Sequence, residues 1–208
     1  MVILTEVASM IFNRNKNRQT GHIIFNEKGI LSGSLSYTDV PKYVSALGQM
    51  KAADPALFEL TLKQLLDTGH PVAIAFKLEH CIENNAPRGE IDFLTEQLKA
   101  KAFDNDSDAM VNWASKVLVK TIPGDEDLAL GMMQQLAERG FPHLTAHAAV
   151  YYLQRINDGD GDHQENNRLL SYWLKTCRPK DYKKWEKGKL EQRELIRLVL
   201  SDAGFQLL

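Results

Sequence analysis

From Pro55 onward, apolar residues recur at intervals of three and four, and the recurrence stops and restarts at short clusters of Gly, Pro, Asn and Asp. Such intervals put one stripe of a 3.6-residue helix against a core, so the chain reads as a series of amphipathic helices. The helices also align in columns. Phe58, Leu94 and Ala129 share one position, Leu62, Leu98 and Met133 the next, and Leu66, Ala102 and Ala137 a third, in steps of 36 and then 35 residues. A second set follows: Ala73, Ala109 and Leu144; Leu78, Ala114 and Ala149; Cys81, Val117 and Tyr152; Ile82, Leu118 and Leu153. A constant pitch with two helices per period predicts stacked helical hairpins. They are expected near 55–84, 91–121 and 126–157, followed by a further first helix at 167–177 and a capping helix at 190–203.

Small residues at Ala73, Ala109, Ala114, Ala148 and Ala149 suit positions where two helix backbones cross closely. Turn-forming clusters at 84–89, 122–125 and 157–162 separate the hairpins. Asp54 and Pro55 mark a helix start, because the carboxylate accepts from free first-turn N–H groups and proline has none to leave unpaired. Thr38 or Asp39 is placed to cap an earlier helix with Pro41 in its first turn. Residues 1–37 are different in kind. A short helix over 2–12, a polar loop over 13–21 and two β-favouring runs at 22–25 and 29–35 predict an N-terminal arm that is either irregular or a β-hairpin. The remainder, 38–208, is expected to be the helical repeat domain. Near its end, Pro179 stops a helix, 180–189 is too polar for an ordinary repeat helix, and Leu190, Leu195, Ile196, Leu198 and Val199 form the apolar face of a cap.

Charge narrows the partners only a little. The net charge of -2 and pI near 6.3 give no general attraction to nucleic acid or acidic lipid. No run approaches the roughly 20 apolar residues of a membrane span, and basic residues follow the N-terminal apolar run where a signal peptide would have them first. Cys81 and Cys177 are the two cysteines, spaced for neither a metal knuckle nor a small disulfide scaffold. Reduced thiols, a cytoplasmic location and no membrane partner are the expectation.

One stretch has a family likeness. Leu136-Ala137-Glu138-Arg139-Gly140, then Ala148-Ala149-Val150-Tyr151-Tyr152, a loop around Gly159 and Gly161, and Tyr172-Trp173 resemble the tetratricopeptide superfamily, in particular its Sel1-like helical repeat branch. Leu65-Leu66-Asp67-Thr68-Gly69 and Lys101-Ala102-Phe103-Asp104 follow the same outline, while Ala148-Ala149 stands where that family has a Leu-Gly pair. The resemblance covers roughly residues 56–177. It implies an all-α TPR/Sel1-like superhelix that binds another protein on its concave face, as adaptor, chaperone-like factor or inhibitor. Some bacterial members neutralise a cognate toxin, so an immunity protein is among the roles implied.

Candidate chemistry is sparse. His143 and His147 have the i, i+4 spacing that can put two imidazoles on one metal, but the Glu of His-Glu-x-x-His is absent, and surface or structural histidines are the simpler reading, as for His70 and His80. Asp158, Asp160 and Asp162 alternate like the start of a calcium loop, yet His163 replaces its glycine and Leu169 its bidentate glutamate. Neither a phosphate loop nor an activated nucleophile is recognisable, and the chain is read as a non-enzyme with no cofactor and no metal. If first helices line the concave side, Lys63, Gln64, Gln97, Lys101, Gln134 and Gln135 are the exposed polar positions for a partner protein. The alternative is nucleic acid. Lys175, Arg178, Lys180, Lys183, Lys184, Lys187 and Lys189, with Tyr182 and Trp185 interleaved, offer charges for phosphates and rings for bases.

Overall fold

A helix starts where something accepts its free first-turn N–H groups, and four such acceptors set the spacing of this fold. Asp106 Oδ1 accepts from the Ala109 amide at 3.0 Å, Asp125 Oδ1 from Leu128 at 3.1 Å, and Asp162 Oδ1 from Glu165 at 2.7 Å. His70 does the same with imidazole Nδ1, 3.1 Å from the Val72 amide. The computed structural model describes residues 40–53 and 55–205. The expected arm over 1–37 and the caps at Thr38, Asp39 and Asp54 lie outside the described residues.

Among the described residues there are ten α-helices and no strand. They are α1 (Val40–Ala53), α2 (Pro55–Asp67), α3 (Pro71–Glu83), α4 (Arg88–Phe103), α5 (Ser107–Leu118), α6 (Glu126–Glu138), α7 (Ala146–Asp158), α8 (His163–Cys177), α9 (Pro179–Glu186) and α10 (Gln192–Asp202). A 3-10 turn, Pro142–Thr145, leads into α7. None of the described helices is long and apolar enough to cross a membrane. Helix ends are closed by residues with positive φ, and at Asn85, Asn105 and Lys120 that residue is not glycine. At Lys120 the turn is secured by Thr121 N–H donating to the Lys116 carbonyl at 2.8 Å, which satisfies a carbonyl the helix leaves free.

The chain divides into two compact units, Met1–Leu94 and Thr95–Leu208, with α4 running through the division. In the first, α1 packs on α2 and α3 around Val40, Tyr43, Leu47, Phe58, Leu62 and Leu65. Lys77 on α3 meets Glu90 at the start of α4, Nζ to Oε1 at 3.3 Å. In the second, the most extensive backbone approaches are of α5 to α6 and of α7 to α8, and α10 lies against α7, α8 and α9. The fully buried alanines of α5 and α7, Ala109, Ala114, Ala148 and Ala149, belong to these close pairs, since a side chain no larger than a methyl lets backbones approach.

Most apolar columns are interior. Phe58, Leu94 and Ala129 are buried, as are Leu62, Leu98 and Met133, then Leu78, Ala114 and Ala149, then Cys81, Val117 and Tyr152. Leu66, Ala137, Ile82 and Leu153 are half-buried. Leu144 departs from its column. Pro142 opens a 3-10 turn there, α7 begins only at Ala146, and the fully buried positions are Thr145 and Ala146. Helices also begin earlier than their apolar stripes: α4 at Arg88 instead of 91, and α8 at His163 instead of 167, because Asp162 supplies its cap.

The basic segment after Pro179, too polar for an ordinary repeat helix, forms the short helix α9, since proline at its first position has a φ suited to helix and lacks the N–H that would be orphaned there. Tyr182 alone supplies its buried contact.

Gly124 and Gly131 make a paired test of the α5–α6 packing. A Cβ on Gly124 would sit 2.5 Å from Val117 Cγ2 and 3.3 Å from Trp113 Cζ2, both buried side chains, whereas one on Gly131 in mid-α6 meets nothing within 4 Å. Gly124→Ala is expected to destabilise by about 1–3 kcal/mol and Gly131→Ala to stabilise by about 0.5–1 kcal/mol, read as opposite shifts in thermal midpoint.

Candidate partner-binding surface

The expected partner-facing residues differ in how available they are. Lys63 on α2, Gln97 on α4 and Gln135 on α6 are exposed. Gln64, Lys101 and Gln134 are only half-buried, which corrects their reading as open positions. Gln64 turns its Oε1 inward, where it is buried without a hydrogen-bond partner among the described residues. Gln134 is committed twice: its Nε2 donates to Glu138 Oε1 at 2.9 Å, and its Oε1 accepts from the Tyr172 hydroxyl at 2.5 Å. That second bond joins α6 to α8, 38 residues apart, and leaves the Tyr172 ring 42% exposed beside it. Lys63 and Gln64 lie in the first unit and the other four in the second.

A second connection of similar length, 34 residues, was not foreseen. Arg139, just past α6, reaches back to the turn between α4 and α5, where Nη1 donates to the Asn105 carbonyl at 2.9 Å and Nη2 to Asn105 Oδ1 at 2.7 Å. Nη1 also lies 3.5 Å from Met110 Sδ. Asn105 has φ 65°, a left-handed conformation that asparagine tolerates better than most residues, and the guanidinium grips both its backbone and its side chain. The sequence offers a faint signal: an asparagine in a helix-ending turn, one pitch before the arginine of Leu136-Ala137-Glu138-Arg139-Gly140. Each clamped turn carries an exposed ring two residues away, Phe103 at 54% and Phe141 at 40%. Gln97 and Gln135 are thus exposed amides, and Tyr172, Phe103 and Phe141 exposed rings, in the second unit.

The other polar groups are occupied by the fold. Tyr151 donates to Glu126 Oε2 at 2.5 Å and accepts from Arg155 Nη1 at 2.7 Å; burial first and then the Glu126 carboxylate push its hydroxyl up to about 12. Arg155 also faces the Asp160 carboxylate at 3.5 Å. The three alternating aspartates therefore have separate uses: Asp158 ends α7, Asp160 pairs with Arg155 and Asp162 caps α8. His143 lies in the 3-10 turn and His147 in α7, so they do not share the helix expected of them. No group of three His, Cys, Asp or Glu among the described residues is arranged to hold a metal ion. His80 Nε2 is 3.4 Å from Glu59 and its Nδ1 is 2.9 Å from the Asn84 amide nitrogen. Both thiols are buried, and burial raises their titration, that of Cys177 to about 12, which keeps them protonated at neutral pH.

In the basic segment, Lys180, Lys183, Lys184 and Lys187 are exposed. The aromatics proposed for base stacking are not presented with them. Tyr182 is buried and Trp185 half-buried against it, ring centroids 5.0 Å apart at 65°. Arg178 is bound bidentately to Asp202 at 2.6 and 2.5 Å and lies 3.2 Å from Asp181.

No protein-family model, curated protein or solved structure matches the chain.

Two outcomes follow from these contacts. Arg139→Ala is expected to cost about 1–2 kcal/mol and Arg139→Lys most of the same, because a lysine cannot grip Asn105 with two parallel N–H groups; denaturant midpoints measure both. His147, partly buried on α7, has its imidazole lowered to about 4, chiefly by burial and then by the Lys116 charge. Above pH 6.5 the ring is neutral whether the chain is folded or not, and between 6.5 and about 4 only the unfolded chain takes up the proton. Stability is therefore expected to fall as pH drops through that window, and His147→Gln to flatten that part of the pH profile of the thermal midpoint.

Proposed function

We propose that the chain is a protein-binding scaffold of the TPR/Sel1-like kind, whose helical hairpins stack as a superhelix and take a partner protein along their first helices. The observation that carries this reading is contact at one pitch. Arg139 to Asn105 spans 34 residues and Tyr172 to Gln134 spans 38, so side chains at similar places in successive hairpins touch each other. Contacts of that kind are what nearest-neighbour stacking requires. The interior columns support it as well, since Leu62, Leu98 and Met133 are each at most 1% exposed.

On this reading the occupied polar groups belong to the scaffold and the exposed ones to the partner. Gln97, Lys101 and Gln135 supply adaptable contacts in the second unit and Lys63 one in the first, and Tyr172, Phe103 and Phe141 supply area that a partner would bury. Gln134 positions Tyr172 instead of contacting the partner itself. The role is that of an adaptor, chaperone-like factor or inhibitor, with the partner another protein and no chemical step assigned to this chain.

Site-specific photocrosslinking in native cells tests it. A photoreactive residue at Gln97 or Gln135 is expected to capture one discrete protein that positions Glu79 on α3 and Gln154 on α7 do not capture. Lys63→Glu, Lys101→Glu and Gln135→Glu together are expected to weaken binding of the captured protein at least about tenfold, a loss of about 1.4 kcal/mol. Capture only from Glu79 and Gln154 would refute the first-helix face.

A further inference from the structure

Helix α9 has two opposed faces. Tyr182 is buried and Trp185 half-buried on one side. Lys180, Lys183, Lys184 and Lys187 follow the i, i+3, i+4, i+7 spacing of a single helical stripe, and all four are exposed. At 3.6 residues per turn they span about 100° of the helix surface on the side opposite Tyr182, with Lys187 at the C-cap. Lys189 continues the charge past the helix, so five of the ten residues 180–189 are lysine and only two are acidic.

Two observations separate this stripe from an ordinary solvated helix face. The first is how little of it is neutralised: Lys184 meets Asp181 at 2.8 Å, whereas Lys180, Lys183, Lys187 and Lys189 have no carboxylate within ion-pair distance among the described residues. The second is that α9 is held in place. Arg178 grips Asp202 bidentately and touches Asp181, while Tyr182 is buried, so the ammonium groups project from a fixed base.

We propose that the Lys180–Lys183–Lys184–Lys187 face of α9 binds the phosphate backbone of nucleic acid, without reading base sequence. This is independent of the protein-binding reading and uses a different part of the chain. The stripe is about 10 Å long at 1.5 Å per residue, close to the axial length of three phosphates on one strand of a duplex. Its ligand is a polyanion because there is nothing else on it to grip. A protein partner calls for apolar anchors, and a membrane surface for an apolar face to insert, but the rings of α9 face inward. For the same reason the contact lacks base stacking, which makes it electrostatic, sequence-tolerant and dependent on counterion release. With a net charge of -2 on the whole chain, the attraction is local and orients α9 toward the phosphates.

The experiment is fluorescence anisotropy on the full chain, using labelled 20-residue mixed-sequence single strands and duplexes between about 25 and 200 mM salt. Micromolar binding at about 50 mM salt is expected, insensitive to sequence and weakening linearly in a log-log plot. The variant Lys180→Glu/Lys183→Glu/Lys187→Glu should bind at least about tenfold more weakly, with the salt slope reduced by about three phosphate contacts. Its circular dichroism and thermal midpoint should match the parent, since none of the three lysines has a structural partner among the described residues. A charge-matched control, Lys63→Glu/Arg88→Glu/Lys120→Glu, should stay within about threefold of the parent. The proposal is overturned by any of three results: no binding by the parent at about 50 mM salt, an equal loss in both variants, or tighter association with phosphatidylserine vesicles than with either nucleic acid.

Discussion

Short turns between helices are the constraint on which the rest of this protein depends. With only a few residues between α2 and α3, α4 and α5, or α6 and the turn before α7, the chain must close one helix, open another and satisfy both ends locally. Left-handed residues do the closing, and Asp106, Asp125, Asp162 and His70 do the opening. Because each reversal is so tight, a helix starts beside the end of the one before it, and α3 packs back against α2 in this way. The buried alanines of α5 and α7 then fix how near their neighbours come. Packing follows from the turns as much as from the stripes.

The helices were legible in the amino-acid sequence because burial repeats with the period of the helix, and Leu62, Leu98 and Met133 show how directly an apolar column becomes an interior one. Leu144 shows the limit. It keeps the spacing and loses the environment, since proline two residues earlier sets up a tighter turn. Helix α9 is the converse case: its composition is polar, and one buried tyrosine and an arginine clasp seat its eight residues. The surface was least legible. Whether Gln134 is available depends on Tyr172, and the turn at Asn105 depends on Arg139, and no local pattern reports a partner more than thirty residues away.

The polar groups fall into two populations with different physical roles. Around Arg155, the side chains of Glu126, Tyr151 and Asp160 form one chain of charge-assisted contacts that is partly open to solvent. Outside, Lys180, Lys183 and Lys187 and the amides of Gln97 and Gln135 lack such partners among the described residues and keep their capacity for other molecules. The aromatic residues divide in the same way. Trp113 is 1% exposed and fills the space between α5 and the loop before α6, while Phe103, Phe141 and Tyr172 remain at least 40% exposed.

The grip of Arg139 on Asn105 also has a meaning for how the molecule opens. A turn held only by its own helices frays independently, and its amides exchange with solvent at a rate set by local fluctuation. Here the turn between α4 and α5 is tied through its backbone carbonyl to the arginine at the end of α6, so releasing it also breaks the bonds that Arg139 makes. Two segments that are distant in sequence are thus linked, so that opening the turn gives up the contacts of Arg139 as well as its own.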